Sequence, residues 1–454
     1  MRIPHQLSRF LFFVLVLIGV TACSDRNPDS GGGGNSPGNL RLQVVNTSAN
    51  SPELDFFLDG TRIARLDFLE ATTRTSVKAG GGVLLVTADT PTGPVNALGP
   101  TALGLTRNLK TTLIAFGTYA GLSTLKIQVP DSPVPAGKAR IQLANTAPAG
   151  VALDIYLTVP GVPITGTTPV ARLDFGQFGT TLDLDAGTID IQITRRNDTN
   201  VIYNSGAFSL VDGDDLLFTV VDNPTSVTSL LSLLVLDDAG GSEVLSADTP
   251  ADFRATHASP GTGPLDVRVT PTVGAPTTVF TNLARGEVTT FAQLDPDLYE
   301  VDFLFTGTPI TAVGSGLGTN AGEQYTVYAA NVPGNLDLFA SNDNRRPIAT
   351  EARLQIVDLA ATLNVGPIDI YVVPTGEPIL LATPHLEDVD YQDVRTDYRA
   401  LAADDYDLVV TAAGSKIELS PRLALGPLLD GGIYAVVVRD DGFGGLEFTR
   451  MDDL

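Results

Sequence analysis

Residues Ile141–Leu157 read IQLANTAPAGVALDIYL, and the same outline returns three times in the chain. The other copies are LQVVNTSANSPELDFFL from Leu42, FRATHASPGTGPLDVRV from Phe253 and LQIVDLAATLNVGPIDIYV from Leu354. Each runs an apolar-rich segment into a polar residue, then a turn containing Pro or Gly, then a second, alternating segment. Period-two alternation is the mark of a strand with one buried face. In LDIYL, Leu153, Ile155 and Leu157 share one face, while Asp154 and Tyr156 share the other. Leu54, Phe56 and Leu58 repeat the inner set, as do Leu265, Val267 and Val269, and Ile368, Ile370 and Val372. The equivalent aspartates Asp55, Asp154, Asp266 and Asp369 are 99, 112 and 103 residues apart. That spacing is one small β-domain, not a solenoid repeat of roughly 20–50 residues.

Later landmarks recur in the same order. ARLDF at Ala64 returns at Ala171, and NLARGEVTTF from Asn282 takes the same place in the third copy. A long strand follows in each: AGGGVLLVTA, DAGTIDIQIT, DPDLYEVDFLF and ADDYDLVVTA. Next comes an apolar strand (LKTTLIAFG, DDLLFTVVD, EQYTVYAAN, GGIYAVVVRD) and a closing one (STLKIQV, SLLVLDD, NLDLFAS, GLEFTRM). Six or seven strands per unit and no helical periodicity predict an all-β protein of four tandem immunoglobulin-like β-sandwich domains, because two half-apolar sheets bury each other's inner faces. The units span residues 40–130, 138–238, 250–342 and 350–451. Polar, Pro- and Gly-containing linkers are expected at Pro130–Lys138, Ala239–Pro250 and Ser341–Thr350. Each unit is long enough to fold alone on its own core.

The chain start has secretion chemistry. Arg2 and Arg9 precede FLFFVLVLIGV, Phe10–Val20, a run too short to cross a hydrocarbon layer that takes roughly 20 residues. It ends in Val20-Thr21-Ala22-Cys23. Small residues before a cysteine resemble the lipobox of bacterial lipoproteins. That resemblance implies cleavage of the 1–22 signal peptide and lipid attachment at Cys23, the only cysteine in the chain. Two or more acyl chains anchor a protein stably, at about 0.8 kcal/mol per buried CH₂. The residue after Cys23 is Ser24 rather than an aspartate, which resembles outer-membrane sorting in Gram-negative bacteria and implies the outer membrane of the cell envelope. SDRNPDSGGGGNSPGN, Ser24–Asn39, completes a flexible tether over 23–39. With no second cysteine, no intramolecular disulfide can form.

Loss of residues 1–22 removes two arginines and no acid, moving the net charge from −24 to −26. Such a surface repels phosphate backbones and excludes nucleic acid as a partner. It favours solubility outside the cell.

ATHASPGTGPLDVRV, Ala255–Val269, resembles the start of a bacterial extracytoplasmic family, the domain of unknown function 4397. That family opens with a strand, then His-Ala-Ser-Pro, a short turn and a Val-Asp-Val strand. The second copy keeps Asn145-Thr146-Ala147-Pro148 and Leu153-Asp154-Ile155. The first keeps Leu54-Asp55-Phe56 and ends in Asp59-Gly60; the fourth keeps Ile368-Asp369-Ile370 and lacks the Ser-Pro. The resemblance implies secreted, membrane-attached tandem β-domains and no activity.

The family's histidine position holds His257 here, but Asn46, Asn145 and Asp358 in the other copies. Asn, His and Asp can each accept a hydrogen bond from backbone amides of the following turn, whereas a catalytic or metal-binding role would not survive the exchange. The position is therefore expected to cap its turn. His5 and His385 are the other histidines; His385 sits beside Glu387, Asp388 and Asp390 in what reads as a solvated acidic loop. The clusters Asp212/Asp214/Asp215, Asp295/Asp297 and Asp404/Asp405/Asp407 read as turn chemistry rather than calcium ligands. No nucleophile elbow, zinc-protease motif or P-loop is present, and no cofactor is implied. With no Trp, the candidates for stacking a sugar are Tyr156, Tyr371 and Phe57, which share a strand face.

These features point to a non-enzymatic, lipid-anchored envelope protein acting as a stalk or interaction scaffold. Its membrane contact is the lipid on Cys23, and its expected partners are an envelope protein or a polysaccharide. A polysaccharide-binding or adhesive module is the alternative, and a hydrolase a remote one.

Overall fold

A computed structural model describes residues 38–226, 228–361, 366–393 and 398–452. His5, Cys23, the signal segment and most of the tether lie outside the described residues. In the first repeat the strands are β1 (Asn39–Asn46), β2 (Leu54–Leu58), β3 (Thr61–Leu66), β4 (Thr75–Lys78), β5 (Gly80–Ala88), β6 (Val95–Leu105), β7 (Leu109–Phe116) and β8 (Ser123–Pro130). They form two four-stranded sheets in the orders β4-β1-β7-β8 and β3-β2-β5-β6. β1 runs parallel to β7, with Val44 opposite Leu113, and the other pairs are antiparallel. The alternation in β2 works as expected: Leu54 and Phe56 are buried, and Asp55 and Phe57 are half-open.

The third sandwich runs from Ala251–His257 to Asp337–Asn342 and the fourth from Ala352–Leu359 to Leu446–Asp452, each with the same strand order. The second, from Lys138–Asn145 to Gly241–Val244, splits its fourth strand and adds a last one. Among the described residues there are thus eight strands in three sandwiches and ten in the second, more than the six or seven read from sequence. The strands that escaped include β6 and its counterparts Val201–Leu210, Thr311–Gly318 and Leu423–Leu428. These are edge strands, rich in Gly and largely solvent-facing, so they carry little apolar periodicity.

Each sandwich has its own core. Leu42, Val44, Phe56, Val86 and Leu113 build the first, and Ile141, Leu153, Ile191, Phe218 and Val220 the second. Phe253, Val267, Phe303 and Val327 build the third, and Ile356, Ile370, Val410 and Val436 the fourth.

The strands nearest the middle of each sandwich also bury their other face. In β7, Leu113 and Ala115 point into the first core, while Ile114 and Phe116 point away from it, into a second apolar cluster. That cluster also holds Val45 and Ile127 of the first sandwich and Ala144, Leu217, Val221, Leu234 and Leu236 of the second. An equivalent cluster joins Tyr328 and Ala330 of the third to Val357, Leu359, Ala435, Val437 and Met451 of the fourth. The sandwiches therefore pack back to back in two pairs, 1 with 2 and 3 with 4. Around the first seam, Asp238 binds Arg41 at 2.5 Å and Arg74 at 2.8 Å, and Lys110 reaches Asp215 at 2.7 Å. Around the second, Glu447 takes Arg285 at 2.9 Å and Arg439 at 2.6 Å. Gly286 lies in this seam at φ +81°, and a Cβ there would stand 2.7 Å from the Arg439 guanidinium.

Besides its own core each sandwich shares an apolar layer with a neighbour, which the polar linkers did not signal. One linker expectation is corrected. The Ala239–Pro250 segment contains a strand of the second sandwich, with Val244 paired to Leu233, because a chain that continues antiparallel can satisfy its backbone on the sheet edge.

Ile114 contributes nothing to its own sandwich's core, so Ile114→Ala isolates the shared layer. It is expected to cost about 2–4 kcal/mol, measured as a shift in the chemical-denaturation midpoint. A change within about 0.5 kcal/mol of zero, the range of ordinary surface substitutions, would show that the two sandwiches do not share a core.

Candidate functional site

The opening hairpin of each copy ends its first strand on a buried polar residue. Asn46 Oδ1 accepts the Ser48 amide at 3.0 Å, and Asn145 Oδ1 accepts that of Ala147 at 3.2 Å. His257 Nδ1 accepts the Ser259 amide at 3.3 Å, and Asp358 Oδ1 that of Ala360 at 2.9 Å. Four copies and three residue types make one bond, always to the amide two residues on. The expected turn cap is the observed one. With Nδ1 accepting, the His257 proton sits on Nε2 and points to the Gly263 carbonyl at 3.2 Å.

The caps differ in charge. Burial holds the His257 imidazole below its ordinary pKa. Burial pushes the Asp358 carboxyl up to about 6, opposed by the Ala360 amide and reinforced by the charges of Asp393, Asp440 and Asp390.

The outward aspartates of the second strand also serve the backbone. Asp266 accepts the amides of Asn282 at 2.8 Å and Gly307 at 3.1 Å, and these bonds hold its carboxyl below the usual range. Asp369 accepts Asp388 at 3.1 Å and Gly414 at 2.8 Å, and Asp154 accepts Asn197 at 3.1 Å. Asn282 and Asp388 both have positive φ and sit where the ladder with the second strand slips register. The carboxylate thus satisfies an amide that the β-bulge frees. In the first copy Asp55 instead meets Arg62 at 3.3 Å.

The acidic clusters resolve in the same way. Asp212 accepts the Gly137 amide, Asp214 that of Val211, Asp297 those of Thr272 and Leu298, and Asp407 that of Gly376. Among the described residues no group of three or more His, Cys, Asp or Glu side chains is placed to hold a metal ion. His385 is not in a solvated loop. Its ring is largely buried, burial and then the Arg399 charge lower its pKa to about 4, and its amide bonds the Ile370 carbonyl at 2.7 Å.

Two of the three aromatic candidates are corrected. Tyr156 is 7% exposed and Tyr371 1%, so neither ring can offer a face to a sugar. The loop after the second strand folds back over this face. Ile379 packs on Tyr371, and Lys416 Nζ lies 4.3 Å from its ring centre. Phe57 stays partly exposed.

A cleft of about 690 Å³ opens between sandwiches 2, 3 and 4, lined by Thr225, Glu323, Asp343, Asn344, Arg353 and Tyr398. Its charged groups are engaged within the protein. Asp343 takes Arg254 at 3.2 Å and Ser341 at 2.6 Å. Arg353 donates to the Arg346 and Asn344 carbonyls at 2.7 and 3.2 Å, lies over the Tyr398 ring, and is held below its ordinary pKa by burial. Glu323 accepts from the Tyr325 hydroxyl and from Asn320 at 3.0 Å. Sequence reading missed this linker chemistry; its one signal was the arginine pair Arg345-Arg346 inside a segment read as a polar spacer.

The family described as Domain of unknown function (DUF4397) matches residues 41–156 and 251–371, more than half of the chain. The chain belongs to this family. Each match starts on the first strand of sandwich 1 or 3 and ends within the second strand of sandwich 2 or 4, the same pairing that the apolar layers make. No curated protein matches the chain. Among solved structures, the Bacillus anthracis TIE protein is similar at 10% identity, with a TM-score of 0.16, over 85% of this chain and 65% of that one. The chain therefore spans less than two thirds of that protein's length.

The two titratable caps predict opposite pH behaviour. A folded pKa raised to about 6 means that Asp358 costs stability above pH 6 and costs none below about pH 4, where it is protonated both folded and unfolded. Asp358→Asn keeps the acceptor and removes the charge. It should stabilise by about 3 kcal/mol at pH 7.5, at roughly 1.4 kcal/mol per pKa unit, with the gain fading between pH 6 and 4. His257 is neutral when folded, so its contribution is lost as pH falls below the unfolded value of 6.5. His257→Asn should be near neutral at pH 7.5 and gain on wild type as the pH drops below 6.5. Denaturation midpoints across pH 4–8 check both; flat differences would refute the assignment.

Proposed function

We propose that this protein is a non-enzymatic scaffold of the cell envelope, held to the outer membrane by a lipid on Cys23. The observation that carries the reading is the chemistry of the recurring polar residues. The buried cap holds the backbone in every copy, and the outward aspartate does so in three copies and pairs with Arg62 in the first, so the residues most open to a catalytic interpretation have structural partners. What remains for recognition is the acidic exterior and the loops displayed by the paired sandwiches. Pairing through shared apolar layers supports a rigid platform rather than a flexible stalk. An envelope protein presenting a basic surface is the partner class that fits a net charge of −26 after signal removal. Among the described residues no helix is long and apolar enough to cross a membrane.

Cys23→Ser should move the protein from the membrane fraction to the soluble fraction; retention after a carbonate wash would refute the anchor. Cross-linking and capture with the lipidated protein in its own envelope should recover a protein partner whose binding weakens steeply between 50 and 500 mM salt. Saturable binding on a glycan array with no such partner would favour the polysaccharide reading instead.

A further inference from the structure

The four sandwiches amount to two rigid halves, because an apolar layer fixes 1 to 2 and another fixes 3 to 4. The contacts between halves are of another kind. On one side Gln324 Nε2 donates to the Thr225 carbonyl at 2.6 Å and Gln293 Nε2 approaches Thr228 Oγ1 at 3.3 Å. On the other side the 3–4 linker reaches sandwich 1 through Arg346. Its Nη1 donates to the Ser51 carbonyl at 2.9 Å and the Ala49 carbonyl at 3.2 Å, and its Nη2 meets Asp67 at 2.5 Å. The guanidinium carbon lies 5.7 Å from the Phe68 ring centre, and the side chain is only 10% exposed. Three residues on, the Ala349 amide donates to the Asn50 carbonyl at 2.9 Å.

We infer that Arg346 is a clasp that closes the two halves onto each other, and that the halves part when its grip on sandwich 1 is lost.

The chemistry is specific to arginine. A planar fork can address two carbonyls and a carboxylate at once, which a lysine point charge cannot. The carbonyls it grips belong to the turn that Asn46 caps, where Asn46 Nδ2 also donates to Ser51 Oγ at 3.2 Å. That turn is therefore a rigid receptor. The seam beside it is open, a space of about 390 Å³ lined by Glu53, Asp67, Asp89, Arg346, Ile348 and Glu351. Arg65 covers Glu53 at 2.5 Å and Asp89 at 2.7 Å. Without Arg346, Asp67 and Glu351 would face each other across this seam with one fewer cation between them, and like charge would drive the halves apart.

The test is hydrogen exchange on the full lipidated chain in detergent, comparing wild type with Arg346→Ala, Arg346→Lys and Asp67→Asn. Arg346→Ala should speed exchange of the Ala349 amide at least tenfold. Arg346→Lys should give an intermediate rise, and Asp67→Asn, altering a half-exposed residue, a smaller one. Amides of Ile114 and Val437, on strands that form the apolar layers inside each half, should stay at wild-type rates in all variants. Wild-type protection of Ala349 in both Arg346→Ala and Asp67→Asn would overturn the clasp. Equal acceleration at Ala349, Ile114 and Val437 would also overturn it, since Arg346 would then support folding throughout rather than closure.

Discussion

The strand pair at the centre of each sandwich, β1 with β7 and its counterparts, has no solvent face. Alternate side chains of β7 enter two different apolar layers, Leu113 and Ala115 on one side and Ile114 and Phe116 on the other. An ordinary two-sheet sandwich leaves one face of each sheet in water. Here exposing that face would leave Val45, Ile114, Leu234 and Leu236 unburied, and apolar surface is driven out of water at about 25 cal/mol per Å². Pairing follows from this constraint. The ion pairs around the seams, such as Arg41 with Asp238, are partly exposed and so add direction and register more than energy.

The buried cap shows why recurring polar residues mislead a search for function. Asn46, Asn145, His257 and Asp358 accept the same backbone amide, and only the charge state separates them. A histidine or aspartate buried on a strand looks catalytic when a single copy is read. Four copies side by side show that the common requirement is an acceptor atom at a fixed place. The burial that displaces the pKa values of His257 and Asp358 is the burial that makes them good caps.

Some of this was legible in the residues. The period of about 100 residues, the inward sets Leu54/Phe56 and Leu153/Ile155, and the acceptor role of the cap rest on local rules of alternation and hydrogen bonding, and they hold in three dimensions. The pairing had a signal as well. LIAF, VYAA and YAVVV are continuous apolar runs, and FTVV is interrupted only by Thr219, where a one-faced strand would alternate, and such runs belong to strands buried on both faces. Tyr371 carried no such signal. Whether an aromatic on an outer face meets water or a folded-back loop depends on where residues 374–385 go, and nothing in their composition decides that.

The sequence by itself determined the all-β class, the four copies, the cap and the turn chemistry, because each depends on residues a few positions apart and on the fixed geometry of the strand. Only the tertiary structure decided which sheet faces meet, that Tyr156 and Tyr371 are covered, and that Arg346 grips carbonyls nearly 300 positions earlier in the chain. Those contacts join residues far apart in sequence, and their energy comes from the complementarity of surfaces that exist only once each sandwich has formed.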